Sequence, residues 1–294
     1  GSGRGKARPE SPWPVRGYAV LALLALVPVV RAHWHYDRAV AADVAGNGPR
    51  AEDELAEAMR LDPDFPLYPT RLALLLNRRT GANPAAAAEL ALRGAGKGRA
   101  VPSLWMIAGI LGYTAQRPWA GDALEKACRL DPFNPIPPFY QMLDKPGGPD
   151  AAAYGAHALL AEPRLVAAIF WQRHPPLLDG ALKAIESWPG VDAGWKQALI
   201  AAVAASAATS SGSSPQPVAL LPLALDTAEA ETISLPVFRR RQWPARWRLV
   251  QVRSDVLARV NLPPAAAAPG TSALAFASVP CRRRSVREQA LLSP

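Results

Sequence analysis

Two stretches of the chain carry the same spacing of small, large and helix-stopping residues. They are AEDELAEAMRLDPDFP at 51–66 and AGDALEKACRLDPFNP at 120–135. Ala51, Leu55, Ala58 and Pro63 in the first have counterparts 69 residues later in Ala120, Leu124, Ala127 and Pro132. Each set describes one face of a helix closed by proline, because alanines one turn either side of a leucine leave room for a neighbouring helix and proline cannot continue the run. Between them, LYPTRLALLLNRRTGANPAAAAELALRGAGKG predicts a helix, a Gly-Ala-Asn-Pro turn and a second helix. PIPPFYQMLDKPGGPDAAAYGAHALLAEP predicts the same order again. After Pro163 the helical pattern continues through RLVAAIFWQRH, PPLLDGALKAIESW and DAGWKQALIAAVAASAA, expected to finish and cap the array.

Two further patterns frame this region. Gly17 to Val30, GYAVLALLALVPVV, is a run of 14 residues without a charge between Arg16 and Arg31. That is shorter than the roughly 20 apolar residues a bilayer core requires. Pro12 to Val15 lengthen it, the flanking arginines can snorkel, and Trp13, Tyr18, Trp34 and Tyr36 stand where interfacial aromatics belong. The expectation is a transmembrane helix over 15–36, after a basic N-terminal flank at 1–14 that favours the cytoplasmic side. A cleaved signal peptide is the alternative, weakened by the absence of a small-residue cleavage site in VVRAHWHY. Beyond the helical region at 37–207, ATSSGSSPQP is a Ser/Gly/Pro linker at 208–217. In the segment 218–294, TISLPVF and RWRLVQVR alternate as two short strands, LPPAAAAPGTSA is irregular, and SVPCRRRSVREQALLSP is a basic end.

The period and the residues of the two echoing stretches resemble the tetratricopeptide repeat (TPR) family, over roughly residues 32–163. The resemblance implies an all-α antiparallel helix-pair solenoid, here following one N-terminal membrane helix and followed by a small irregular or β-containing segment. Counting back from the closing prolines, the family's aromatic, leucine, glycine and tyrosine of the first helix fall on His35, Arg38, Ala39 and Ala42 in unit one. In unit three they fall on Leu104, Ile107, Ala108 and Leu111, a departure from the pattern. The same register places Tyr36, Tyr68, Arg71, Trp105 and Tyr140 as candidate partner-binding residues in the groove that first helices line, the aromatic ones also compatible with a core position.

A narrower resemblance follows from LVPVVRAHWHYDRAV running directly into RLDPDFPLYPTRLALLL and ALEKACRLDPFNPIPPFY. It is similar to the C-terminal repeat extension of polytopic O-antigen ligase or polymerase-like bacterial membrane proteins. That likeness implies a periplasmic module on the inner membrane, organising protein partners or a lipid-linked glycan, with the transfer chemistry in spans and loops elsewhere. The opening GSGRGKARPE, without methionine, fits a piece of such a protein. A free-standing single-span scaffold would carry the same residues.

Charge and chemistry change this picture little. From Arg239 onward eleven arginines face only Asp255 and Glu288, an excess equal to the +9 of the whole chain, so the helical region is close to neutral. Arg239–Arg241 and Arg282–Arg284, with Trp243 and Trp247 nearby, raise a nucleic-acid reading, but runs of three fall below the five to eight of basic nucleic-acid patches. Solvated arginine, or contact with anionic lipid or glycan, is favoured. No phosphate loop, zinc-type cysteine pairing, His-Glu-x-x-His or nucleophile elbow is present, so neither catalytic residue, cofactor nor metal is expected. His33 and His35 would lie about 200° apart on a helix and cannot converge on one ion. His157 is expected at an exposed position and His174 as a cap at a helix junction. Cys128 is expected as a small buried thiol and Cys281 as an incidental one, with a single bridge between them left open.

Overall fold

The computed structural model describes residues 13–78, 83–208, 218–223, 247–260 and 262–271. The helical region is a succession of antiparallel pairs. α1 (Trp13–Val44) packs on α2 (Gly48–Leu61), α3 (Leu67–Arg78) on α4 (Pro84–Lys97), α5 (Pro102–Thr114) on α6 (Ala120–Leu130), and α7 (Ile136–Asp144) on α8 (Ala151–Ala161). Each pair also touches the next, α2 on α3, α4 on α5 and α6 on α7, giving a solenoid-like stack.

The stops that end the second helices explain the sequence echo. Asp62, Asp131 and Glu162 close α2, α6 and α8 with nearly the same backbone, φ of −136°, −137° and −144° and ψ of 82°, 87° and 91°. In each the cap N–H donates to the carbonyl four residues back, on Ala58, Ala127 and Ala158. All three precede proline, whose Cδ excludes the helical conformation from the residue before it. α4 ends on Gly98, the one second helix of the four without that dipeptide. It begins on Asn83, whose side chain accepts from the backbone N–H of Ala85 and Ala86, with Pro84 at the first helical position.

Ala51, Leu55 and Ala58, like Ala120, Leu124 and Ala127, are all buried, while Pro63 lies exposed and Pro132 half-buried in the turns. The first helices follow a different register from the one expected. After α1 the N–H groups of Gly46 and Asn47 donate to Asp43 and Ala42; after α5 those of Gln116 and Arg117 donate to Tyr113 and Gly112. Gly46 and Gln116 occupy the left-handed region at φ 76° and 52°. These equivalent turns are 70 residues apart, whereas the second helices repeat at 69, because the stretch from Arg117 to Ala120 is one residue shorter than that from Asn47 to Ala51. The small residues of the first helices in units one and three are therefore Ala39 and Ala42, then Gly109 and Gly112, and not Ala108 and Leu111. A Cβ on Gly109 would stand 2.6 Å from the Leu124 side chain, and one on Gly112 2.6 Å from the Trp119 ring.

The region expected to cross a membrane forms part of one unbroken helix. α1 runs through Arg31 and on to Val44, with Pro28 inside it and its later half packed on α2. Among the described residues no helix is long and apolar enough to cross a membrane, which departs from the helix expected over 15–36. The physical reason is local: the uncharged run ends at Val30, and Arg31, His33, His35, Asp37 and Arg38 follow at once.

Beyond the four pairs come a 3₁₀ turn (Pro163–Ala167), α9 (Phe170–Arg173), α10 (Pro175–Glu186) and α11 (Ala193–Ala208). β1 (Val218–Leu223) and β2 (Trp247–Arg253) pair antiparallel, Val218 opposite Arg253 and Leu223 opposite Trp247. The register shifts at Leu221/Pro222, where proline lacks the N–H that a regular ladder needs. β2 falls on RWRLVQVR; TISLPVF lies outside the described residues, as do 209–217. α12 (Ser254–Leu257) and a 3₁₀ turn (Ala265–Ala267) follow. They do not form a detached tail. Val256, Val260, Ala265 and Ala268 join the largest core cluster, with Leu159, Leu165, Trp171, Ile185 and Leu199. The Trp195 indole N–H donates to the Pro263 carbonyl at 2.9 Å and fixes that return.

Close helix approach gives a paired test. Gly109→Val forces a branched side chain against Leu124 and is expected to lower stability by about 1–3 kcal/mol. Gly96→Ala meets open space and should be neutral or stabilising by less than about 1 kcal/mol. Urea denaturation midpoints of the two variants would read both.

Candidate interaction surface

The five candidate groove residues separate into two groups. Tyr36 on α1 and Tyr68 on α3 face each other with ring centroids 5.5 Å apart, and Phe65 lies 4.7 Å from Tyr68. Tyr68 is 1 % exposed, and burial pushes its phenol well above the usual tyrosine range. Arg71 is 5 % exposed, and its guanidinium donates to Asp43 Oδ2 at 2.5 Å, as does Arg78 at 3.0 Å. Tyr68 and Arg71 thus join α3 to α1 inside the stack, and are not groove walls. Trp105 and Tyr140 remain half-buried. The Trp105 indole N–H donates to the Arg99 carbonyl, and Lys126 Nζ sits 3.7 Å above its ring. Burial lowers the Lys126 pKa, with Arg99 and Arg129 adding to the effect. Tyr140 stands edge-on to Tyr113 at 5.5 Å, and burial raises its pKa.

Polar ties between helices were not foreseen. Glu54, 8 % exposed on the packed face of α2, meets His35 Nδ1 at 2.7 Å and Arg38 at 2.8 Å, both on α1, with Arg50 4.0 Å away. Glu89 on α4 accepts from Arg117 at 2.6 Å and from the Trp119 indole at 3.4 Å, tying α4 to the turn between α5 and α6. One sequence signal existed for the first of these: Glu54 falls between Ala51, Leu55 and Ala58 on a face otherwise wholly apolar.

The histidines and Cys128 differ from expectation as well. His157 is fully buried, not exposed. Its Nε2–H donates to the Pro132 carbonyl at 2.6 Å, and Nδ1 lies 3.8 Å from Cys128 Sγ. Burial lowers its pKa against the opposing pull of the Pro132 carbonyl, so the ring is neutral at pH 7. His174 precedes α10 without a side-chain capping bond, and its ring stacks on Phe170 at 4.4 Å. Cys128 is disulfide-bonded and not a thiol; the other cysteine of the sequence, Cys281, lies outside the described residues. Among the described residues no group of histidine, cysteine and carboxylate side chains is arranged to hold a metal ion.

A cleft of about 210 Å³ opens where α6, α7 and the start of α8 meet, lined by Asp122, Glu125, Gln141, Asp144, Lys145, Asp150 and Tyr154 among others.

No protein-family model matches the chain, and no curated protein is significantly similar to it.

Two outcomes follow from these contacts. Asp43→Ala would leave Arg71 buried without its carboxylate partner and is expected to cost about 3–5 kcal/mol in urea denaturation, more than Arg71→Met, which removes the charge itself. The folded pKa of His157 lies below its unfolded value near 6.5, so the unfolded chain binds the extra proton. The neutral ring's contribution is complete above about pH 6.5 and is lost as pH falls below it toward the lowered folded value, with a slope of up to about 1.4 kcal/mol per pH unit. A pH series of denaturation midpoints should show that slope, and His157→Gln should remove it.

Proposed function

We propose that the chain is a membrane-tethered, TPR-like interaction module, with its helical stack as the partner-binding part and α1 as the tether. The observation that carries the reading is the outer face of α1. Leu26, Val30 and Trp34, four residues apart, are 53 %, 54 % and 54 % exposed, with Val27 at 49 % beside them. Ala32, His35, Ala39 and Ala42 on the opposite side are drawn into contact with the stack. One helix therefore offers apolar surface outward along one stripe and supports the array along the other. Such a stripe suits insertion into the acyl boundary of a bilayer, with Trp34 and Arg31 at headgroup level.

The narrower reading, the periplasmic extension of an O-antigen ligase-like glycan assembly protein of the bacterial inner membrane, rests on the sequence resemblance alone. In that reading the array organises protein partners or a lipid-linked glycan, and catalysis lies outside these residues.

Vesicle flotation tests the tether. The intact chain should rise with phosphatidylethanolamine/phosphatidylglycerol vesicles, and a Leu26→Glu, Val30→Glu double variant should stay at the bottom with an unchanged helical circular dichroism spectrum. An intact chain that remains at the bottom would reject the reading.

A further inference from the structure

Because the helices alternate in direction, the turns that follow α2, α4 and α6 gather at one end of the stack, and contacts tie them together there. Asp64 after α2 stands 3.8 Å from Lys97 at the close of α4. The Arg99 carbonyl, between α4 and α5, accepts the Trp105 indole N–H, and Lys126 near the end of α6 lies over the same ring. The Asn134 side chain, in the turn from α6 to α7, reaches the Met106 sulfur on α5 at 3.6 Å. α1 meets this end too, since Ala32 and Tyr36 cluster with Leu61 and Phe65. The residues of α1 just before Ala32 continue past the end of the stack: Leu26, Val27, Val29, Val30 and Arg31 are all exposed.

The large apolar side chains exposed among the described residues sort by end. Leu26, Val27, Val29, Val30 and Trp34 belong to the part of α1 that leaves the stack here. Leu130 and Phe133, 40 % and 45 % exposed, lie at the close of α6 and in the turn after it, at the same end. Of these described side chains, Val44 lies at the opposite end. Cations accompany the apolar groups. Lys97, Arg99 and Arg129 are exposed and Lys126 is half-buried. Burial, then the charges of Arg99 and Arg129, hold the Lys126 pKa below its ordinary value, which marks how closely the three gather. Two carboxylates also stand here, Asp64 beside Lys97 and Asp131 accepting the Phe133 N–H. The acidic cleft of Asp122, Asp144 and Asp150 opens at the far end, where α6 begins, α7 ends and α8 begins.

We propose that Lys97, Arg99, Arg129, Leu130 and Phe133 form a second membrane contact, which docks the end of the stack on an anionic phospholipid surface beside α1. The proposal rests on the tether reading and deepens it by assigning the stack an orientation. With Arg31 and Trp34 at headgroup level, the end from which α1 emerges is brought to the same surface. Leu130 and Phe133 can then enter the acyl boundary while the cations meet lipid phosphates. The carboxylates of the far end are directed away from a surface of like charge. Two weak contacts held on one rigid body reinforce each other, because the first makes the second intramolecular.

The test is a vesicle-binding titration of the full chain on phosphatidylcholine vesicles with and without phosphatidylglycerol. A Leu130→Glu, Phe133→Glu variant, with α1 intact, should bind the phosphatidylglycerol vesicles at least about 5-fold more weakly than the unaltered chain. Val44→Glu, which adds the same charge at the far end, should bind as the unaltered chain does. A Lys97→Gln, Arg99→Gln variant should lose at least about 3-fold on phosphatidylglycerol vesicles and nothing on phosphatidylcholine alone. All these positions are exposed, so helical circular dichroism and urea midpoints should stay unchanged. Undiminished binding by the Leu130, Phe133 variant would overturn the proposal and leave the tether standing. So would an equal loss in Val44→Glu, or a Lys97, Arg99 variant unmoved on phosphatidylglycerol. An unaltered chain that binds neither kind of vesicle would overturn the tether and this contact together.

Discussion

The stack depends on how closely its paired helices approach. Where α5 meets α6, Gly109 leaves no room for a Cβ against Leu124. Where α3 meets α4, a Cβ on Gly94 would stand 2.3 Å from Thr70 Oγ1 and 2.8 Å from the Pro66 carbonyl. Gly155 does the same for α8, beside Met142 and Trp171. Small residues at these crossings let leucines interlock at the packing density of an interior, and they set the spacing that each following pair inherits. The core is accordingly a chain of local clusters, Ala42 with Ala51 and Leu75, then Leu74 with Ala91 and Leu104, then the large cluster around Leu124, Met142 and Leu159.

Polar contacts add direction to that packing. Asp43 at the end of α1 receives two arginines from α3, and Glu54 on α2 receives a histidine and an arginine from α1. A misplaced register would leave these charges buried without partners, at a cost of several kcal/mol. Apolar faces made of alanine tolerate sliding, and the ion pairs do not. The same consideration moves Arg71 from the groove, where its charge suggested a contact for partners, to an internal tie between units.

The legible part of the fold came from local rules. Leu-Asp-Pro and Ala-Glu-Pro mark the ends of α2, α6 and α8 because proline restricts the residue before it wherever it stands. Ala51, Leu55 and Ala58 announced a packed face through their spacing. The register of the first helices was not legible, since a single residue missing between Arg117 and Ala120 shifts α5 by one position while leaving both helix patterns intact. The candidate surface was legible in part. Trp105 and Tyr140 are half-buried and Tyr68 is core, and the cleft around Gln141 draws on three elements whose residues carry no common spacing. The apolar run at 17–30 was visible at once, yet its incorporation into a helix reaching Val44 depends on α2 receiving the helix's second half.

The sequence by itself determined where helices stop, which faces they bury and that they come in pairs, because proline geometry and helical period act within a few residues. Tertiary structure alone decided the one-residue shift between first and second helices, the burial of His157 beneath Pro132, and the return of Val256 to Ala268 into the core. It also brought four carboxylates to one cleft. Those outcomes rest on contacts between residues far apart in the chain, whose free energies appear only once the helices have met.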